Sequence, residues 1–370
     1  MAKGTSKYTE IVTTLRKEMV EGRYASSAAF PSVTALMQRF GVARATIVRA
    51  VSELRLLGLV QSRSGSGTVV TRKGRASSGR LGLIVQSYAE MFPPVCRRLL
   101  SLAQEKGYLL MVGDTSSGDP AARPTNAKRL AESFVRSGIA GVMYQPLAFH
   151  RDADRTNLEI LEAFRAANIP VVLFDSAPTS TSVDCEFDMV GMDNFSAGKC
   201  MAAHLVEAGA KTIVFAVDKH PTEGNLKRLE GVRLYAGDHG VVCKSHFGEA
   251  STVARKFARG TFGVGRTAIL ASCDHYAVEV LKSLAALGRK VPDDVLLAGF
   301  DDVRLASLLT PPLTSVHQPC AEIAVGAFRR LLARIAVPDL PPTEQFFNAP
   351  LVVRESTCPP PAKRMKGKGK

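Results

Sequence analysis

The chain has 370 residues and a formal charge of +14, and this charge is concentrated at its two ends. Residues 1–80 carry 14 Lys and Arg against four acidic residues, and residues 359–370 add five basic residues and no acid, so the stretch between is near neutral. A basic head on a neutral body is typical of polyanion binding, although a solvated basic surface has the same composition. The length predicts two or three domains.

Cysteine usage and hydropathy argue against a secreted or membrane protein. The seven cysteines show neither a C-x-x-C pair nor metal-ligand spacing to histidine, which favours free thiols in a reducing compartment. They are Cys96, Cys185, Cys200, Cys243, Cys273, Cys320 and Cys358. The polar N-terminus predicts no signal peptide, and no apolar run approaches the roughly 18 residues that cross a bilayer. We expect a cytoplasmic protein with no metal, cofactor or membrane partner.

The first part of the chain predicts three helices, because apolar residues recur at helical spacing in three segments from Tyr8 onwards. The second helix begins after Pro31-Ser32 and stops at Gly41, and the third follows directly. The buried stripe of the third helix is Ile47, Ala50, Val51 and Leu54. Two helices joined by a tight turn form a helix-turn-helix, whose second helix presents its first turn to base edges.

Two short β-prone runs, Leu59–Gln61 and Thr68–Val70, follow the third helix and flank a tip rich in Gly and Ser. A glycine tip lets the backbone approach a phosphate chain or a minor groove closely. The pattern predicts a wing.

The stretch FPSVTALMQRFGVARATIVRAVSELRLLGLVQSRSGSGTVV resembles the winged-helix domain of the GntR family, over about residues 5–71. The resemblance implies DNA contacts from Arg44 and Arg49 to phosphates or guanine edges, and from Thr46 to a phosphate or base. It places the wing tip in the minor groove. The positions that match the family pattern and are predicted to bind DNA are Ser32, Arg44, Thr46, Arg49, Gly65, Gly67 and Thr68.

This sequence departs from the GntR pattern at two places. The family's acidic–Arg pair after L-P-S is Val33-Thr34 here, and its Ser before the recognition Arg is Ala43. We therefore expect an operator that differs from the family's usual one.

Beyond residues 72–80, whose Gly, Ser and Arg content predicts a flexible linker, strands alternate with helices. Continuous apolar strands between amphipathic helices indicate parallel sheets covered on both faces. A break at Pro178–Asp188 separates two such series, so we expect two α/β lobes with a cleft between them. Ligands of such sheets bind at the carboxyl ends of strands, where Gln145, Asp175, Asp274 and Asp301 stand.

The segments IPVVLFD, VGMDN, KRLEGV, SCDHYAVEVLKSLAALGRKVPDDVLLAGFDD and LTPPLTSVHQP are similar to the effector domain of the LacI/GalR family, over about residues 80–356. That family shares its fold with periplasmic sugar-binding proteins. The combination with a GntR-type head resembles the AraR-type arabinose repressors.

The LacI/GalR resemblance implies that Arg228 forks onto sugar hydroxyls, that Asp175 and Asp301 accept hydroxyl hydrogen bonds, and that Phe92 packs on a sugar face. Many relatives have Asn at the position of Cys273, which leaves the identity of the effector open. The complete predicted effector site is Phe92, Gln145, Asp175, Arg228, Asp274 and Asp301.

The predicted fold class is α/β: a winged helix-turn-helix followed by a two-lobed, doubly wound domain of the periplasmic-binding-protein type. The predicted divisions are 1–71 for the DNA-binding domain, 72–80 for the linker, 81–356 for effector binding and dimerisation, and 357–370 for a disordered basic tail.

We predict a homodimeric, sequence-specific transcriptional repressor whose affinity for a double-stranded DNA operator is controlled by a small ligand, a sugar or sugar derivative. Two alternatives are a sugar-processing enzyme fused to a DNA-binding head and a purely architectural DNA-binding protein. Sugar turnover would identify the first, and a lack of operator preference the second.

Overall fold

The computed structural model describes residues 7–20, 23–24, 30–56, 59–63, 67–70, 79–86, 92–116, 119–178 and 187–358. Its N-terminal part, here called the head (residues 7–70), has helices α1 (Lys7–Val20), α2 (Val33–Phe40) and α3 (Arg44–Leu56), then an antiparallel hairpin of β1 (Val60–Arg63) and β2 (Gly67–Val70). Apolar side chains from all five elements share one core. The predicted helix-turn-helix and wing are confirmed.

The ends of α2 follow from two residues. The Ser32 hydroxyl accepts a hydrogen bond from the Ala35 N–H at 3.1 Å, which caps the helix start. Gly41 adopts φ +59 and its N–H donates to the Met37 carbonyl, which ends the helix. The tight turn that follows starts α3, whose predicted stripe of Ile47, Ala50, Val51 and Leu54 is buried.

The body (residues 79–358) consists of alternating strands and helices. In chain order they are β3 (Arg80–Val85), α4 (Phe92–Glu105), β4 (Leu109–Asp114), α5 (Arg123–Arg136), β5 (Gly141–Tyr144), α6 (Ala153–Ala166), β6 (Val171–Phe174), β7 (Asp188–Met192), α7 (Asn194–Glu207), β8 (Thr212–Val217), α8 (Glu223–Asp238), β9 (Val242–Phe247), α9 (Ala250–Ala258), β10 (Thr267–Ala271), α10 (Asp274–Ala286), β11 (Leu296–Asp301), α11 (Arg304–Leu308), β12 (Thr314–His317), α12 (Cys320–Ala336), β13 (Glu344–Phe347) and β14 (Leu351–Val352).

These elements form two lobes, each built on a six-stranded sheet. The first lobe has strand order β13-β7-β6-β5-β3-β4 and is parallel throughout. The second has order β14-β12-β11-β10-β8-β9 and is parallel except for β14. Apolar cores cover both faces of each sheet. The α/β fold class is confirmed, and no helix within the described ranges has the length and apolar composition needed to span a bilayer.

The lobes do not divide at Pro178–Asp188, as the sequence led us to expect. Strand β7 follows that break but pairs with β6, so it completes the first lobe's sheet. The chain crosses to the second lobe after Met192, returns through Gln318 to α12 and β13, and crosses again before β14. The predicted lobe boundary was wrong because alternating strands and helices in a sequence do not show which sheet each strand joins. Three connections therefore form the hinge.

Helices α7 and α8 cross with their backbones in contact, and glycine is required at the crossing. A Cβ on Gly198 would lie 2.1 Å from the Arg228 carbonyl oxygen, and one on Gly231 would lie 2.1 Å from the Phe195 carbonyl oxygen. Both are backbone carbonyls, so neither can rotate away as a flexible side chain could. The close crossing sets Arg228 against Asn194 at the start of α7, and the Arg228 Nε donates to the Asn194 Oδ1 at 2.7 Å.

Gly231→Ala is expected to lower the free energy of unfolding by about 1–3 kcal/mol, because the added methyl group forces α7 and α8 apart. Gly237→Ala on the same helix is the matched control, since a Cβ there meets nothing within 4 Å. That change should be neutral or stabilising by up to about 1 kcal/mol, because alanine favours the helix. Urea unfolding followed by circular dichroism measures both variants. Equal stability of the two would contradict a close backbone contact between α7 and α8 at Gly231.

Candidate functional site

The face of α3 opposite its buried stripe is open to solvent. Arg44 and Arg49 are exposed, and Thr46 is half-buried. The Arg49 guanidinium lies 4.6 Å from the ring centre of Tyr8 on α1, so it is held by a cation–π contact. Among the described residues we find no hydrogen-bond or ion-pair partner for Arg44, so its donors remain available at the first turn of α3.

The wing and the residues just before α2 are joined to each other. The Thr68 carbonyl accepts a hydrogen bond from the Phe30 N–H at 3.1 Å, and the Thr68 side chain is half-buried. Gly67 adopts φ +73, a conformation that favours glycine. The Ser32 hydroxyl is exposed but serves as the cap of α2. Gly65 lies outside the described residues.

A charged cluster centred on Glu18, which the sequence did not indicate, fixes α1 to α2. The Glu18 carboxylate accepts hydrogen bonds from Arg39, from the Tyr24 hydroxyl at 2.6 Å and from Arg23 at 3.1 Å. The bonds from Arg39 hold the pKa of Glu18 below its usual value. The cluster sets the position of the helix-turn-helix on α1.

In the body, a cavity of about 330 Å³ lies between the two lobes. Four of the six predicted effector residues line it: Gln145, Asp175, Arg228 and Asp301. The first two follow strands β5 and β6 of the first lobe, and Asp301 ends β11 of the second. The carboxyl ends of both parallel sheets therefore face this cavity, as the sequence predicted.

Arg228 is fixed in the cavity wall by contacts on three sides. Besides the bond to Asn194, its Nη1 donates to the Ser272 carbonyl at 2.6 Å, and its Nη2 lies 3.5 Å from the Asp301 Oδ1. Its guanidinium also stacks 4.6 Å from the ring centre of Phe300. The Arg228 guanidinium is therefore oriented before any ligand binds, so little side-chain entropy is lost on binding.

Asp175 is held by two amides from different parts of the chain. Its carboxylate oxygens accept from the Gln145 Nε2 at 2.9 Å and from the Gln318 Nε2 at 2.7 Å. Gln318 lies in the connection between β12 and α12, so this contact joins the first lobe to the hinge. The Gln145 Oε1 in turn accepts from the Gln86 N–H at 3.0 Å.

Backbone strain is concentrated at the same place. Asp175 has φ +71, Asp301 has φ +100 and Phe149, which also lines the cavity, has φ +54. Non-glycine residues held in this region cost of order 1–3 kcal/mol each and persist where the surroundings impose them. Strain of this kind is typical of ligand sites.

Burial shifts the pKa of two cavity groups. Burial raises the pKa of the Asp301 carboxyl, while the Arg228 guanidinium opposes that shift. Burial, followed by the negative charge of Asp301, raises the pKa of the Cys273 thiol to about 12, so this thiol is neutral at pH 7. The cavity thus offers carboxylate acceptors, guanidinium and amide donors, and a thiol that is a poor nucleophile.

Of the two other predicted effector residues, Asp274 is not brought to the cavity surface. Asp274 is fully buried beneath it, where its carboxylate accepts from the Ser315 hydroxyl at 2.7 Å and from the Val303 N–H at 3.0 Å. It therefore ties α10 to β12 and to the loop after β11. Phe92 begins α4, and its side chain lies outside the described residues.

Several polar lining residues were missed by the sequence reasoning. They are Gln86, Ser176, Asn194, Thr222, Asn225, His275 and Gln318. Gln86 and Ser176 closely follow strands, so the rule that found Asp175 could have found them. Asn194 and Gln318 lie where the chain passes between the lobes, within the segments VGMDN and LTPPLTSVHQP, so the resemblance carried by those segments could have pointed to them.

Comparison with known proteins agrees with this two-part organisation. Residues 7–70 match the model of bacterial regulatory proteins of the gntR family, and residues 202–357 match that of the periplasmic binding protein-like domain. The arabinose metabolism transcriptional repressor of Geobacillus stearothermophilus is 24% identical, over 95% of this chain and 97% of its own. The HTH-type transcriptional regulator MalR of Streptomyces coelicolor is 28% identical, and the match covers 88% of this chain and 91% of that protein.

Among solved structures, the transcriptional regulator CelR in complex with cellobiose is similar in fold. Its TM-score is 0.64 at 21% identity, and the match covers 94% of this chain and 98% of that one. The chain thus joins a head that matches the gntR model to a body that matches the periplasmic binding protein-like model, and it is a DNA-binding transcriptional regulator.

Proposed function

We propose that this regulator is a repressor that holds double-stranded operator DNA through α3 and the wing and releases it when a sugar fills the interlobe cavity. The observation that carries the proposal is the pairing of a fixed guanidinium, Arg228, with two carboxylates, Asp175 and Asp301, around one cavity. It acts in the cytoplasm, where its operator is.

A sugar suits this lining because every hydroxyl both donates and accepts a hydrogen bond. Carboxylates accept from hydroxyl groups, and the fixed guanidinium and the amide of Gln145 donate to them. The cavity of about 330 Å³ falls in the size range of small-molecule sites. Two of the similar proteins described above, a repressor of arabinose metabolism and a regulator in complex with cellobiose, point to the same class of ligand.

Ligand binding between the lobes would move them relative to each other. Gln145 and Asp175 belong to the first lobe, whereas Arg228 and Asp301 belong to the second, so one ligand held by both sets favours the closed arrangement. The three hinge connections bend, and the change in the body alters the spacing of two heads in a dimer.

We favour a binding protein over an enzyme for this cavity. Among the lining residues, Cys273 has the side chain best suited to covalent catalysis, but its thiol is neutral at pH 7 and so is a poor nucleophile. The described residues include no group of three or more His, Cys, Asp or Glu side chains placed to hold a metal ion.

A sugar that binds the cavity is expected to raise the melting temperature, by the equivalent of about 2.7 kcal/mol at a hundredfold excess over Kd. A panel of pentoses, hexoses and disaccharides, including arabinose and cellobiose, tests this by thermal shift. Arg228→Gln should abolish the shift and the release of operator DNA. Lys227→Gln, next to it on α8 and paired with Glu223 at the surface, should retain both. A full response in Arg228→Gln would place the ligand elsewhere.

Arg44→Ala is expected to weaken operator binding by about tenfold to a hundredfold, because a guanidinium at the first turn of the recognition helix is lost. Arg55→Ala, an exposed arginine in the last turn of the same helix, removes equal charge and should change affinity less than threefold or so. Gel-shift titration at fixed salt measures both. Intact binding by Arg44→Ala would exclude the proposed docking of α3.

We further propose that the regulator binds as a homodimer, because one winged helix reads few base pairs and a two-fold operator is matched by a two-fold protein. Sedimentation velocity is expected to give twice the chain mass of 39.7 kDa without DNA, and that mass plus one operator duplex when operator is added. A monomer that still binds a two-fold operator in single copy would argue against this assembly.

A further inference from the structure

A second cavity, of about 370 Å³, lies at the junction of the head and the first lobe. We call it the junction cavity. The head contributes Arg16 of α1 and Leu59, and the first lobe contributes, among others, Arg165, Asn168, Arg334 and Asp339. Because its wall is shared, a ligand there would touch both the DNA-binding head and the body.

Arg16 reaches this cavity from a helix that packs against α12 of the body. It is only 8% exposed, which is rare for an arginine, and burial lowers the pKa of its guanidinium. The carboxylate of Asp339 provides a partly compensating negative charge. Because burial outweighs the effect of Asp339, the Arg16 cation is only partly compensated, and a further anion beside it would be favourable.

Arg334 adds a donor that is buried and unsatisfied. Its Nε bonds to the Asp188 carboxylate, and its Nη1 donates to the Pro338 carbonyl at 3.0 Å. Its Nη2 is buried and, within the described part of the chain, has no hydrogen-bond partner. Leaving such a donor unpaired is costly, and a bound oxygen anion would supply the missing acceptor.

The local charge balance also favours an anion. Asp188 is fully buried and is shared by Arg334 and Arg330, whose Nε lies 2.6 Å from its other oxygen. Arg165 is half-exposed, lies 3.4 Å from Glu162 at the surface and stacks 5.3 Å from the ring centre of Phe187. Counting these partners, the four guanidinium groups of Arg16, Arg165, Arg330 and Arg334 face three carboxylates, those of Glu162, Asp188 and Asp339, so one positive charge is left uncompensated around the cavity.

We propose that the junction cavity binds a phosphate group, carried by inorganic phosphate or by a small phosphate ester, and that the bound anion fixes the head against the first lobe. A guanidinium group binds phosphate through two parallel N–H···O hydrogen bonds to two of its oxygens. Leu59, Ile169 and Phe187 provide an apolar wall for the organic part of an ester.

This site is separate from the interlobe cavity. The junction cavity meets β6 at its amino end, at Pro170 and Val171, whereas Asp175 follows its carboxyl end. Four residues of strand separate the two positions by roughly 13 Å. A phosphate at one end and a sugar at the other can therefore bind together, and β6 joins the two sites directly. The regulator would then respond to two ligands of different charge.

The test uses the full-length protein without DNA and isothermal titration with three probes: inorganic phosphate, glucose 6-phosphate and glucose. Saturable binding of inorganic phosphate or of glucose 6-phosphate is expected, and the tighter of the two identifies the source of the phosphate group. Arg16→Gln should weaken that binding at least tenfold and leave any glucose binding unchanged. Lys17→Gln, an exposed neighbour on α1 with the same loss of charge, should change it less than twofold.

Further variants keep the test decisive if Arg16→Gln unfolds the head. Arg165→Gln lies on the body side and should also weaken phosphate binding, while Arg228→Gln in the interlobe cavity should not. Absence of saturable phosphate binding to the native protein would overturn the proposal. So would equal weakening by Arg16→Gln and Lys17→Gln, which indicates bulk charge, or a loss confined to Arg228→Gln, which indicates the interlobe cavity.

Discussion

The arrangement of this regulator depends on one constraint: the carboxyl ends of two parallel sheets must face each other across a single cavity. Parallel strands direct all their following loops to the same edge, so each lobe gathers its polar residues on one side. The glycine crossing of α7 and α8 then sets Arg228 at that edge, and the amide of Gln318 links Asp175 to the hinge. The positive φ values of Asp175 and Asp301 show that the backbone is bent to meet this requirement.

Much of this could be predicted from the sequence, because the decisive signals were local. Helical periodicity located the core of the head, and the Ser32 and Gly41 signals located both ends of α2. In the body, apolar strands ending in Gln145, Asp175 and Asp301 pointed to the interlobe cavity. These inferences needed only spacing along the chain and the chemistry of helix and strand ends.

The rest could not be predicted because it depends on contacts between distant residues. Asp274 has the same sequence signature as Asp301, an acid just after a strand, yet Ser315, 41 residues away, draws it beneath the surface. Membership of β7 and β13 in the first lobe is decided by pairing, which a single strand pattern does not record. The burial of Arg16 depends on how the head docks, which no local pattern reports.

The return of the chain to the first lobe has a consequence for synthesis. The head and the strands up to β12 leave the ribosome before α12, β13 and β14, so each lobe's sheet lacks a strand until β13 joins the first lobe and β14 joins the second. Until then the carboxylate of Asp188 lacks its hydrogen bonds from Arg330 and Arg334, which follow it by more than 140 residues. A nascent chain stalled before α12 would expose an unfinished apolar sheet beside a finished DNA-binding head, and chaperones that hold such surfaces would act on it in that interval.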